Sequence, residues 1–443
     1  MELVSLSFFY IFLPVCISVY FLAPRRLRLA ALLFVSLIYY LFAQPKSVPL
    51  MAITVLLDFV SLRIMSREKA SAPLRRGCLW FSVVKNLLVL FWAAASVQIR
   101  PAEAVLGVAV YCLSGIDCAA SVYRREAPAV TSPVRFGLYC LFFPRLYQGP
   151  LLPYGEFDAQ LDAGPRPGPL QILDGLCRML LGAVKILLPG RYLSLLYVTL
   201  RAYGADASIL SRWCMVLVLA LTTFYRLSGY CDMAVGLGGV FGLRLPQNFY
   251  YPYQSRSVQD FFQRFLVTVS SFYRRLFYGG QQDAPMTPAA DANQIIVVGM
   301  LLGLWFGMSA PHMMWGIFLA AFAVMERRLY PNALERIPTL FRRMYTLLVV
   351  LVSFALLAGD SPTQSLRFAV DLTGLTGLAP WNNQILYLLS TNWLLLLIGC
   401  FFATNICSLL ITTLRRAVPN WMPALLAAAD GALLLLVTGL LIG

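Results

Sequence analysis

Long apolar runs alternate with short polar connections along the whole length of this chain. Runs able to cross the roughly 30 Å hydrocarbon core of a bilayer fall at 3–22, 28–43, 48–65, 78–98, 104–122, 134–152, 172–200, 207–227, 294–310, 311–326, 341–358, 385–412 and 422–442. Within them polar and apolar residues do not alternate. A transmembrane barrel strand would show a period of two, so the runs predict helices, whose backbone groups bond within the segment. About eleven to thirteen spans or re-entrant helices result, several of them short or interrupted by proline. The expected fold is an all-α polytopic membrane protein. It is read as a single domain over residues 1–443, because no soluble insertion, long linker or internal repeat breaks the pattern.

Composition supports this reading. At 60% hydrophobic and 12% charged residues, the chain is more apolar than a soluble domain, where about half the residues are apolar. Arg25, Arg26 and Arg28 in the first connection, and Arg63, Arg67, Lys69, Arg75 and Arg76 in the third, outnumber the single Lys46 of the second. Loops rich in Lys and Arg stay cytoplasmic, which predicts an outside N-terminus and a retained first span. The net charge of +15 is read as topology and contact with anionic membrane lipid, or alternatively as a docking face for an acidic carrier protein or coenzyme donor. No nucleic-acid partner is expected. Ten cysteines stand singly, with no CxxC pair, and His312 is the only histidine. No metal site is therefore expected.

The apolar pattern gives way between Tyr225 and Tyr278. Asp232 stands among small residues in SGYCDMAVGLGGVFG, and an ionisable group in an apolar segment is costly, by roughly 2.5–3.5 kcal/mol at a helix centre. It reads either as a polar tie between helices, with Ser228, Tyr230 or a nearby arginine as partner, or as part of a transfer path. From Gln247 to Arg275 the chain is too polar to span, with Asn248, Gln254, Arg256, Asp260, Gln263, Arg264, Arg274 and Arg275 set among aromatics. Helical spacing from Ser257 onward puts Asp260 and Arg264 one turn apart and Phe261, Phe265 and Phe272 on one face. Upstream, the Pro/Gly-rich segment 162–172 leads into an amphipathic stretch that predicts an interfacial helix followed by a span.

Three runs in this region carry a family resemblance: Ser228 to Leu237, Phe241 to Phe249, and Pro252 to Ser257. They resemble the signature of the membrane-bound O-acyltransferases, in the bacterial branch that includes alginate O-acetylases and the D-alanyl transfer protein of teichoic acid systems. The segments FFPRLYQGP (142–150), SGIDCAASVYRRE (114–126), GLWFGMSAPHMMWG (303–316) and AGDSPTQSLRFAVDL (358–372) stand in the expected order. The resemblance implies a helical bundle with its signature region at 225–316, in the bacterial inner (plasma) membrane. It also implies a protein that moves an acetyl or other short acyl group from a cytoplasmic donor to an extracellular cell-envelope polysaccharide. The donor would be acyl-CoA or an acyl carrier protein, no cofactor would be bound, and a partner acyltransferase would work at the outer face. Asn248, Tyr253, Arg256, Asp260, Arg264 and Trp305 are the substrate-binding positions implied.

The chain departs from the family at two positions. Leu266 and Phe306 stand where the family places histidines, and neither side chain can accept a proton. Imidazole suits proton abstraction because its pKa lies near the operating pH. His312 and Asp232 are the substitute candidates. Pro311 is expected to break the helix just before His312, which would re-aim that side chain. Two readings stay open: an acyltransferase using another base, or a catalytically degenerate homologue acting as a binding or scaffold subunit. The sequence has no phosphate-binding Gly-Lys-Ser/Thr loop and no GxSxG elbow.

Overall fold

The computed structural model describes residues 2–99, 107–147, 149–164, 167–279, 288–307, 309–329, 336–406, 413 and 421–442. Among them the regular elements are helices: α1 (Leu13–Leu22), α2 (Arg28–Ala43), α3 (Val48–Met65), α4 (Ala72–Ile99), α5 (Val108–Tyr123), α6 (Pro133–Leu141), α7 (Tyr154–Asp162), α8 (Pro169–Lys185), α9 (Arg191–Ala202), α10 (Ile209–Val240), α11 (Val258–Arg264), α12 (Val267–Tyr278), α13 (Pro288–Phe306), α14 (Ala310–Leu329), α15 (Thr339–Leu357), α16 (Pro362–Asp371), α17 (Asn383–Phe402) and α18 (Met422–Ile442). Six helical segments among the described residues are long and apolar enough to cross a membrane: Pro45–Met65, Ala72–Ser96, Ile209–Val240, Thr339–Leu357, Asn383–Phe402 and Met422–Ile442. Shorter apolar helices at Phe8–Leu22, Arg28–Ala43, Val108–Tyr123 and Asp291–Phe306 accompany them. The chain is an all-α polytopic membrane protein.

Most predicted runs match a helix closely, and the departures have local causes. The 134–152 run stops at Leu141, because Phe142 leaves the helical region (φ −56°, ψ 108°) and Pro144 follows in a short 3₁₀ turn. The 172–200 run divides into α8 and α9 at a π-turn, Ile186–Gly190, which contains Pro189. The 207–227 run continues as helix to Val240, since no proline interrupts it and its glycines are packed. The start of the 104–122 run and residues 407–412 of the 385–412 run lie outside the described residues, as does Cys407.

The chain divides into two compact units whose segments interleave. The first comprises Met1–Ala183, Tyr230–Gln247 and Leu425–Gly443. Its core includes Phe8, Phe12, Tyr39, Phe142, Phe143 and Phe241, all buried. The Phe143 ring lies 5.4 Å from Tyr39 and 6.0 Å from Phe241, and the Tyr20 hydroxyl donates to the Phe241 carbonyl at 2.9 Å. The helix α5 is buried from Val110 to Val122. Beside it α3 and α4 share a polar knot: Asp58 meets Lys85 Nζ at 2.8 Å and accepts hydrogen bonds from Ser82 Oγ at 2.6 Å and Asn86 Nδ2 at 3.0 Å. Gly115 of α5 leaves room for it, because a Cβ there would come within 3.0 Å of Asn86 Nδ2 and closer still to Asp58.

A second buried charge shapes the turn after α6. Arg145 is only 1% exposed, and it donates to the carbonyls of Tyr139 at 2.9 Å and Pro150 at 3.1 Å. Its guanidinium lies 5.3 Å from the Tyr139 ring centroid, so the 142–152 segment is wrapped around a cation rather than spanning.

The second unit comprises Val184–Gly229 and Asn248–Ala424. Within it α13 and α14 form a hairpin with almost no space between the backbones: a Cβ on Gly299, Gly303 or Gly316 would overlap main-chain atoms of the facing helix. Small residues at such a crossing let two apolar helices associate by packing alone. Elsewhere Arg212 pairs with Asp371 at 3.1 Å, both buried, and Tyr225 donates to the Gly399 carbonyl at 2.5 Å.

Candidate functional site

The signature segment begins on α10 and passes from one unit to the other. Asp232 lies in the first unit, where Arg178 of α8 donates to its Oδ1 from Nε at 3.1 Å and from Nη2 at 2.9 Å. A nearby arginine is thus a partner of this carboxylate, from the amphipathic helix singled out by sequence. One turn further along, α8 and α10 touch through Gly175 and Gly236, where a Cβ on either glycine would strike the other helix's backbone. The pair sits 33% and 20% exposed. It joins two helices at a close crossing, which fits the polar-tie reading.

The remaining candidates belong to the second unit. Ser257 accepts from the Asp260 amide at 3.0 Å and starts α11, and Asp260 meets Arg264 Nε at 2.6 Å, one turn apart as the spacing predicts. The helix does not continue to Phe272. It ends at Arg264, Phe249 and Phe265 form an isolated antiparallel bridge, and Leu266 takes a left-handed conformation with φ 53°. A non-glycine residue there is uncommon. The first turn of α12 holds Leu266 in place, since its carbonyl accepts from the amides of Val269 at 3.1 Å and Ser270 at 3.0 Å. Phe261 and Phe265 stack at 5.0 Å, whereas Phe272 belongs to α12, so the common face expected from one continuous helix is divided by this turn.

Asn248 closes the start of α12. Its Oδ1 accepts from the Thr268 amide at 3.0 Å and the Thr268 hydroxyl at 2.9 Å, and its carbonyl accepts from Val267 N at 3.1 Å. The Tyr253 hydroxyl donates to the Ala220 carbonyl at 2.6 Å. Both side chains therefore spend polar atoms on architecture. Arg256 is exposed, its amide donating to Asp260 at 3.0 Å, and Arg264 is 37% exposed. These arginines form a rim.

Sequence reasoning missed the group that fixes this rim. Glu326, buried near the end of α14, accepts from the amides of Val258 at 2.9 Å and Gln259 at 3.2 Å, with Tyr345 as a further partner. Negative charge at a helix N-terminus is favourable. Its only sequence signal is a carboxylate followed by Arg327 and Arg328 at the end of an apolar run.

Phe306, the last residue of α13, enters an aromatic stack. Its ring lies 6.0 Å from Phe265 and 5.0 Å from Trp315, and Trp315 lies 6.1 Å from Phe354. Phe265 thus links the Leu266 turn to Phe306. Trp305 and Trp315 both have buried indole N–H groups without a hydrogen-bond partner among the described residues. The expected break near His312 lies earlier than Pro311: α13 ends at Phe306, Pro311 is accommodated in the first turn of α14, and His312 is helical. Its Nδ1 is hydrogen-bonded to Ser309 Oγ. Its ring rests on Gly307, where a Cβ would come within 3.0 Å of Cε1 and Nε2. Among the described residues no three His, Cys, Asp or Glu side chains converge in a metal-binding group.

No family model matches the chain. Individual proteins do. It is 25% identical over 365 residues to a probable alginate O-acetylase of Pseudomonas fluorescens, covering 80% of this chain and 72% of that one. It is also 25% identical over 259 residues to a peptidoglycan O-acetyltransferase of Helicobacter pylori, covering 55% and 47% of the two chains. The chain is a homologue of the membrane-bound O-acyltransferases. A teichoic acid D-alanyltransferase of Bacillus subtilis, 22% identical over 191 residues (41% and 48% of the two chains), shows the same relationship at lower coverage. The relatives thus include proteins named for O-acetyl and for D-alanyl transfer.

Proposed function

We propose that this protein moves an acetyl or other short acyl group from a cytoplasmic thioester donor, acyl-CoA or an acyl carrier protein, to hydroxyls of a cell-envelope polysaccharide outside a bacterial inner membrane. A partner acyltransferase at the outer face completes the route. The observation that carries the reading is similarity over four-fifths of the chain to a protein named as an O-acetylase. The local build of the signature region supports it: the bridge between Phe249 and Phe265, the Leu266 turn and the Phe306 stack lie in one cluster. Beside this cluster runs a rim of Arg256, Asp260 and Arg264, which suits an anionic phosphate-bearing donor.

A second reading rests on Phe306 and Leu266. Neither side chain can take a proton, and a Phe306 closed into an aromatic stack is what a binding or scaffold subunit with a retired centre would keep. The experiment that separates the two is the amount of base-releasable O-acyl ester on envelope glycans in wild type, a deletion strain and the complemented deletion. Loss on deletion with recovery on complementation supports transfer. Unchanged ester in the deletion, in a strain with no other homologue, refutes it.

A further inference from the structure

The chain's only histidine is hydrogen-bonded to a serine. Ser309 stands at the start of α14 and His312 one turn later; both are half-buried. The imidazole lies against Gly307, next in sequence to Phe306, and the missing side chain there makes its space. The hairpin that carries the pair is locked by backbone contact at Gly299, Gly303 and Gly316, including contact between Gly303 and the His312 carbonyl. A hydroxyl within hydrogen-bonding reach of an imidazole is the arrangement that activates a serine for attack on an acyl group.

Two further observations suit acyl chemistry. Trp305 precedes Phe306 directly, and the Trp315 ring packs edge-on against Phe306. Each has a buried N–H with no hydrogen-bond partner among the described residues. An unpaired buried donor costs about 1–3 kcal/mol, and the oxygen of an acyl group in reaction is an acceptor that such donors can stabilise.

We propose that Ser309 and His312 are a nucleophile–base pair, and that Ser309 Oγ carries the acyl group in transit. This rests on the acyl-transfer reading above. Neutral imidazole protonated on Nε2 presents the Nδ1 lone pair to the Ser309 hydroxyl. In the first step Oγ bonds to the carbonyl carbon of the thioester donor and the carbon–sulfur bond breaks; the hydroxyl proton passes to Nδ1 and on to the departing sulfur. In the second, an acceptor hydroxyl attacks the Ser309 ester, the carbon–Oγ bond breaks, and the acceptor's proton returns to Ser309 through Nδ1. The net change is thioester to ester, with no oxidation or reduction.

The test uses the full-length protein in the deletion strain, complemented with wild type, Ser309→Asn, Ser309→Thr or His312→Ala at matched membrane levels. Asparagine caps a helix as well as serine does, but it lacks the hydroxyl. The readouts are envelope O-acyl ester and acylation of the Ser309 peptide in acid-quenched protein. The expected result is acylated Ser309 in wild type, a fall in ester of about 100-fold or more for Ser309→Asn and His312→Ala, and partial activity for Ser309→Thr. Wild-type ester with Ser309→Asn reduces the serine to a helix cap and overturns the proposal. So does wild-type ester with His312→Ala, or unacylated Ser309 in active protein. Absence of ester with wild type overturns the acyl-transfer reading itself, and this proposal with it.

Discussion

The carboxylate of Glu326 is the clearest single point at which this architecture can be tested. It accepts two backbone hydrogen bonds, from Val258 at 2.9 Å and Gln259 at 3.2 Å, at the start of a seven-residue helix that carries Asp260 and Arg264. Hydrogen bonds to a charged group contribute about 1.5–3 kcal/mol each, against 0.5–1.5 for neutral ones. Glu326→Gln leaves one neutral acceptor and turns an amide NH₂ toward the second N–H, so one bond is lost and the other weakened. The net cost is about 2 kcal/mol, because side chains can reorient around the site. At 1.4 kcal/mol per tenfold, the equilibrium for opening α11 shifts about 30-fold toward the open form. Hydrogen exchange on protein in lipid nanodiscs reads this directly. Amides of residues 258–264 should exchange about 30-fold faster in the variant, while those of α15 stay unchanged. Equal protection of α11 in both proteins would refute the assignment of Glu326 as its anchor.

The helix contacts set other expectations. Gly316→Ala places a methyl group against the Gly299 backbone, and overpacking costs about 1–3 kcal/mol; a lower midpoint of thermal unfolding in detergent is expected, with ester formation reduced in parallel. Gly77→Ala, where no atom lies within 4 Å of the added carbon, should leave both unchanged. Asp232→Asn and Arg178→Ala should each destabilise the protein by about 1–2 kcal/mol, less than a fully buried pair would show because both groups are partly exposed. Their double variant should cost less than the sum, as read from a thermal-shift cycle. If Asp232→Asn keeps full stability and loses ester, the carboxylate acts in transfer and the polar-tie reading fails.

What the sequence made legible was what depends on near neighbours. The apolar runs at 28–43, 48–65 and 422–442 recur as α2, α3 and α18 at the same limits, because bilayer length and continuous apolarity are local properties. The Asp260–Arg264 pair was readable for the same reason, being one helical turn apart. The break at Leu266 was not, since it depends on a bridge to Phe249 and on Asn248 meeting Thr268 across the loop. Asp232 stood out as a costly charge, yet its partner Arg178 lies 54 residues away in sequence. Glu326 closes the apolar run 311–326, and its amide partners lie 67 and 68 residues earlier. The 207–227 run was expected to end before Ser228, whereas the helix continues to Val240, with Gly236 packed against the Gly175 backbone.

The Asp58–Lys85 pair bears on how the chain enters the membrane. Asp58 lies about 15 Å along α3, at 1.5 Å per residue, near the middle of a bilayer, and Lys85 faces it from α4. Inserted alone, either helix carries an uncompensated charge deep into hydrocarbon; together the two charges form a neutral pair. The two helices are therefore expected to leave the insertion machinery as one unit. A nascent chain ending at Met65 should integrate less completely than one ending after α4, and Asp58→Leu should restore integration of the short chain. Glycosylation-site mapping of the two lengths would show whether this membrane segment is one helix or two at the moment it partitions.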